Sequence, residues 1–219
     1  MSRLAMWGMM CMFAVALTGC GLLQGGDGGG SLSVRSRDDQ GVVLKGGFQS
    51  GYYRFDGDNA ATIILFDGPA DNPVQAVTMR LMWRPRAGRT PIEPTATNVT
   101  MHYVIFTPGE SAEVGIYSGA GYLYPRSKLG SSSLRASLWD ASLRLQDASD
   151  HFHYLLGQAV IQGDFTVRRD DAAMERLRHR VNLMIRQRLG YPRLVDAQSA
   201  APDGLALRQP LEASRIAAP

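Results

Sequence analysis

Apolar and polar residues alternate with a period of two through much of the chain between residues 32 and 167. Val77, Met79, Leu81 and Trp83 alternate with Thr78, Arg80, Met82 and Arg84, and Val99, Met101, Tyr103 and Ile105 alternate with Thr100, His102, Val104 and Phe106. Successive strand side chains point to opposite faces, so each run predicts a strand with one face in a core. Shorter strands are predicted at 48–55, 62–66, 114–117 and 121–124, and further strands at 152–161 and 164–167 with Gly163 as a turn or kink between them. Phe55-Asp56-Gly57-Asp58-Asn59-Ala60 reads as a hairpin connection, because Gly and Asn accept the positive φ that tight turns need. Between 134 and 145 the alternation changes phase: Leu134, Ala136 and Leu138 fall on one face, then Trp139, Ala141, Leu143 and Leu145 on the other. A β-bulge or strand break near Leu138 and Trp139 reconciles the two halves.

The period switches to that of a helix after residue 170. Asp170 or Asp171 can cap its N-terminus, Gly190-Tyr191-Pro192 ends it, and Met174, Leu177, Val181, Met184, Ile185 and Leu189 share one arc that should pack on the β core. The opposite face carries Arg176, His179, Arg180 and Arg186, with Arg178 and Arg188 at the margins, where their stems can cover the sheet. Many short strands and one late helix predict a mainly β fold, an antiparallel β-sandwich or a barrel-like sheet with one C-terminal amphipathic helix at about 171–189. Residues 32–195 make a single domain of ordinary size, and the Ala/Pro-rich segment 196–219 reads as a disordered tail.

The N-terminus has a different pattern. Arg3 precedes an uncharged stretch, Leu4 to Leu17, of signal-peptide rather than bilayer-spanning length. It ends in Leu17-Thr18-Gly19-Cys20, which resembles the lipobox of bacterial lipoprotein signals. The resemblance implies that residues 1–19 are a signal peptide, that Cys20 receives a diacylglycerol thioether, and that cleavage makes Cys20 the first residue of the mature chain. Two or three acyl chains hold a protein on a membrane, each buried CH₂ contributing ~0.8 kcal/mol. The rival reading is an uncleaved membrane anchor, against which Thr18, Gly19 and Gly21 weigh. Both leave the remainder translocated. Gly21 stands where the inner-membrane retention signal of such lipoproteins has Asp, so the resemblance favours the outer membrane. Gly21 to Ser31 is Gly-rich and reads, with Cys20, as a flexible tether of about 20 Å span.

Composition narrows the chemistry. The two cysteines are Cys11, within the signal, and Cys20, so the mature domain would have no thiol for catalysis, for a Cys-ligated zinc or for an iron–sulfur cluster. A formal charge of +3, carried almost wholly by Arg, does not call for a nucleic-acid partner, and neither does the compartment. No Gly-x-Ser-x-Gly, Ser-x-x-Lys, His-Glu-x-x-His or Walker motif occurs in the sequence. No cofactor is implied.

Four segments hold candidate chemistry. His151 and His153, at i, i+2 on a predicted strand and close to Asp147 and Asp150, are the start of a metal site without a fixed third ligand; a solvated strand face explains them as well. Asp56-Gly57-Asp58-Asn59 begins like a calcium loop, which Ala60, Ala61 and Asp67 do not continue. Arg84, Arg86 and Arg89 lie in a proline-rich loop and can meet headgroup phosphate, or simply solvate a connection between strands. Tyr122, Tyr124 and Arg126 end a stretch, 117–126, that can stack on sugar rings; its commoner use is a hairpin whose alternate tyrosines fill the core edge.

The leading functional expectation is a non-enzymatic, membrane-anchored envelope lipoprotein for binding, assembly or structure, with an envelope protein, glycan or lipid as partner. The alternatives are a carrier enclosing an apolar ligand and a metal-dependent hydrolase using His151 and His153.

Overall fold

The computed structural model describes residues 28–37, 42–57, 59–86, 96–109, 112–153 and 156–194. Among these are nine strands and one helix: β1 (Gly28–Ser36), β2 (Val43–Phe48), β3 (Ser50–Gly57), β4 (Ala60–Asp67), β5 (Gln75–Leu81), β6 (Val99–Phe106), β7 (Val114–Pro125), β8 (Ser133–Ala148), β9 (Gln158–Arg169) and α1 (Asp171–Leu189). The fold is mainly antiparallel β with a C-terminal helix, as the alternation predicts. All strands belong to one sheet of order β2-β1-β9-β3-β4-β5-β6-β7-β8, in which β9 also pairs with β8. The sheet therefore closes on itself as an irregular ring. β9 carries β8 along one edge, and on its other edge β1 from Ala159 to Val167, then β3 in parallel at Arg168 and Arg169.

The ring has an apolar inside and a half-covered outside. Inward-facing residues of every strand meet in one core that includes Tyr53, Met79, Met101, Tyr103, Tyr117 and Leu123. Three tyrosine rings are buried in it, Tyr103 with its hydroxyl bonded to Gln75 Oε1 at 2.7 Å, Tyr53 to the Ser131 carbonyl, and Tyr117 at the Leu156 backbone. Burial pushes the Tyr117 hydroxyl up to about 12 against a hydrogen bond at the Leu156 backbone, and the Tyr103 hydroxyl still further up. A second core lies outside the ring, where Tyr52, Ile64, Phe66, Ala76, Val104, Phe106, Val114 and Ile116 receive α1. All six residues of the predicted helix arc are there, with Leu189 partly buried. Asp170 caps the helix by accepting from the Ala173 N–H at 2.9 Å, and Gly190, at φ 84°, closes it. The helix covers β3 to β7; among the described residues, no helix covers the outer faces of β1, β7, β8 and β9 beyond it.

Four local expectations are corrected. The 20–31 tether is too long, because β1 begins at Gly28. A Cβ on Gly30 would lie 2.6 Å from Asp164 O and overlap the Phe165 side chain, so this glycine serves close strand packing rather than flexibility. The strands expected at 48–55 and at 114–117 with 121–124 are differently divided: β2 ends at Phe48 and β3 starts at Ser50, whereas β7 runs unbroken through Gly119 and Gly121. Those two glycines leave room for β8, since a Cβ on either would collide with Ser142 O or Ala141. Residues 117–125 of that segment thus lie in one strand and not a hairpin, with Arg126 just beyond it. Finally, β9 starts at Gln158, so His151 and His153 stand in the exposed β8–β9 loop instead of on a strand. The expected hairpin at 55–60 is present, with Gly57 and Asn59 at positive φ and the Asp56 carboxylate held by Arg54 and Thr62.

Candidate ligand-binding face

The uncovered outer face of β7 and β8 brings four aromatic rings together. Leu123 of β7 and Leu138 of β8 point into the ring, so their neighbours Tyr122, Tyr124 and Trp139 point out. Tyr122 and Trp139 are cross-strand partners with centroids 6.1 Å apart and planes 27° apart. Trp139 and Tyr124 are 6.0 Å apart and nearly parallel, at 12°. Trp83, just beyond β5, meets Tyr122 edge to face at 6.3 Å. Tyr122 is buried beneath its neighbours, while Tyr124 and Trp139 expose 39% and 44% of their surface. Burial, and then Tyr124 beside it, holds the Tyr122 hydroxyl above its ordinary value of 10.0.

The phase change in β8 creates this arrangement. The register slips between Leu138 and Ala141, both of which face inward, and Asp140 takes a positive φ of 40°. Trp139 and Asp140 are the bulged pair, one residue later than the sequence suggests. Trp139 is therefore outside, not on the inner face with Ala141 and Leu143.

A charged group flanks the rings. Arg126 Nε donates to Ser137 Oγ at 2.6 Å, the Ser137 hydroxyl donates to Asp164, and a second Arg126 nitrogen lies 3.4 Å from that carboxylate. Ser137 is buried, yet Arg126 and Asp164 expose about half or more of their side chains, at 52% and 71%. Flat apolar surfaces thus adjoin donors and acceptors fixed by mutual bonding. Such a site can take a ring that has an apolar face and a hydroxylated rim.

Asn98 supports the rings from behind. It is fully buried just before β6, where the β6–β7 ladder ends at the Val99–Gly121 pair. Its amide continues that ladder: Oδ1 accepts from the Leu123 N–H at 2.7 Å, and Nδ2 donates to Leu123 O at 2.8 Å and to Trp83 O at 3.3 Å. The residue between the two platform tyrosines and the backbone of Trp83 are therefore tied to one side chain.

Of the candidates named from sequence, Tyr122, Tyr124 and Arg126 come together on this face. Arg84 and Arg86 are exposed on the segment that leaves Trp83, so Arg84 adjoins the cluster in sequence; Arg89 and Cys20 lie outside the described residues. His151 and His153 meet no third ligand: among the described residues no group of three His, Cys, Asp or Glu is placed to hold a metal. Asp147, expected near them, instead accepts from Tyr191 at 2.6 Å and from Arg193 at 2.8 Å. Burial raises the Asp147 carboxyl, but these hydrogen bonds and the Arg193 charge outweigh it and leave its pKa below 3.8. Arg193 of the same pair acts on His102, whose pKa is lowered by burial and then by the Arg193 charge. Trp83 and Trp139 are the members that sequence reading misses, having been assigned to the core by alternation. Comparison with protein-family models, with curated proteins and with solved structures returns no match for this chain.

Proposed function

We propose that the protein is a lipid-anchored component of a bacterial envelope, not an enzyme, and that it binds a glycan on the outer face of β7 and β8. The lipobox-like Leu17-Thr18-Gly19-Cys20 supports the address. The observation that carries the binding reading is the exposed, nearly parallel Trp139–Tyr124 pair beside Arg126 and Asp164. The two rings leave 39% and 44% of their surface in water, and a ligand's apolar face would cover it at roughly 25 cal/mol per Å² of apolar area. The buried apolar side chains that line the ring interior, Tyr53, Tyr103 and Tyr117 among them, weigh against the carrier reading, and the exposed setting of His151 and His153, without a third ligand among the described residues, weighs against the hydrolase reading.

The chain has three tryptophans, and with Trp7 in the signal the other two, Trp83 and Trp139, both belong to the ring cluster. Intrinsic fluorescence of the processed protein therefore reports on this face. Titration with oligosaccharides prepared from envelope glycans should shift the emission, and Trp139→Ala should abolish binding while keeping the wild-type circular dichroism. An unresponsive emission, with no retention on immobilised glycan, would refute the glycan reading. Cys20→Ser should remove fatty-acid labelling and release the protein from membranes; a labelled Cys20→Ser variant would refute the anchor.

A further inference from the structure

The ring platform does not end the uncovered face. On the β7–β8 ladder, the pair Tyr122–Trp139 is followed by Ala120–Ser142 and Ser118–Arg144. These last residues, with Gln158 of β9 and Arg37 after β1, line an open cleft of about 470 Å³. A second opening of about 280 Å³ shares Arg37 and adds Arg35, Gln162 and Asp140. The alternation places all of them outside the ring, because Leu143, Ala159 and Ile161 between them point inward. From Tyr124 to Ser118 the strand advances six residues, about 20 Å at ~3.4 Å each. That distance suits a short chain of sugar rings, not a single one.

The charges at the two ends differ. Arg126 is matched by Asp164. Arg37 and Arg144 are exposed, and neither makes an ion pair with a carboxylate among the described residues. The cleft's other side chains, Ser118, Ser142 and Gln158, are neutral hydrogen-bonding groups. A guanidinium presents a planar fork of donors that matches carboxylate or phosphate oxygens, so two of them in one cleft complement an anion. Asp140 lines the adjoining opening, where it can accept from hydroxyls.

We infer that the ligand is an anionic oligosaccharide, one ring stacked on Trp139 and Tyr124 and an acidic group several rings away held by Arg37 and Arg144. This rests on the glycan reading above and specifies its substrate class. The test is a fluorescence titration of the full, lipid-anchored chain in detergent with linear tetrasaccharides in carboxylated, phosphorylated and carboxyl-reduced neutral forms. An acidic form should bind about tenfold or more tighter than the neutral one at low salt, and the preference should shrink as salt rises. The double variant Arg37→Gln/Arg144→Gln should lower acidic binding to the level of the neutral form. Equal affinity of all forms for the wild type would overturn this inference and leave the glycan reading standing. Binding of none would overturn both. An acidic preference that survives the double variant would overturn the assignment to Arg37 and Arg144.

Discussion

Asn98 offers the sharpest test of how the ring cluster is held. Replacing it with Ala removes a fully buried amide and strands the Leu123 N–H and C=O, which it bonds at 2.7 and 2.8 Å, together with part of the satisfaction of Trp83 O. Each stranded buried group costs about 1–3 kcal/mol, so the two Leu123 groups alone predict a loss of about 2–6 kcal/mol. For a domain of this size each kcal/mol lowers Tm by about 2–4 °C, and Asn98→Ala should melt at least about 4 °C below wild type. Thermal unfolding followed by circular dichroism at neutral pH measures this, and tryptophan emission in the same scan reports on Trp83 and Trp139. Asn98→Asp keeps an acceptor for the Leu123 N–H but sets a carboxylate oxygen against Leu123 O and buries a charge, so it should be no better than Ala. The reasoning fails if Asn98→Ala melts together with wild type, or if Asn98→Asp restores wild-type stability. Either result would mean that Leu123 finds other partners and that the amide does not prolong the β6–β7 ladder.

Acidification should destabilise the fold in two stages. His102 titrates below its ordinary 6.5 in the folded state, so as pH falls through about 6.5 the unfolded chain takes up the proton first and stability drops; Asp147, held below 3.8, adds a later loss as pH falls past that value. His102→Gln should flatten the decline in Tm between pH 7 and 5, and a wild-type slope in that variant would assign the effect elsewhere. Gly30→Ala should cost about 1–3 kcal/mol by overpacking Asp164 O and Phe165, whereas a residue in a flexible tether would tolerate the change; urea denaturation distinguishes the two.

These tests bear on the positions where sequence and structure part company, and the reasons are physical. The helix was legible to its caps, because Asp170, Gly190 and the apolar arc are all local signals within one element. The phase change in β8 was legible too, since a period of two cannot reverse without an extra residue. Its position was not. Alternation alone cannot tell whether Trp139 belongs to the half before the bulge or the half after it, and that choice decides whether the ring lies in the core or in water. Trp83 posed the same difficulty: β5 stops at Leu81, so the alternation that would have carried its ring inward no longer applies. The glycines misled for a related reason. Gly28 to Gly30 and Gly119 to Gly121 look like linker or turn in one dimension, yet at each of these glycines a neighbouring strand or loop approaches too closely for a Cβ, and the neighbour is far away in sequence. The candidate site was consequently half legible. Tyr122 and Tyr124 share one strand and one face, Arg126 follows directly after that strand, and their spacing announces it. The partners that turn them into a surface come from three other segments: β8 brings Trp139, Ser137 and Arg144 by pairing directly with β7, and the closing of the sheet through β9 brings Asp164 and Arg37 alongside.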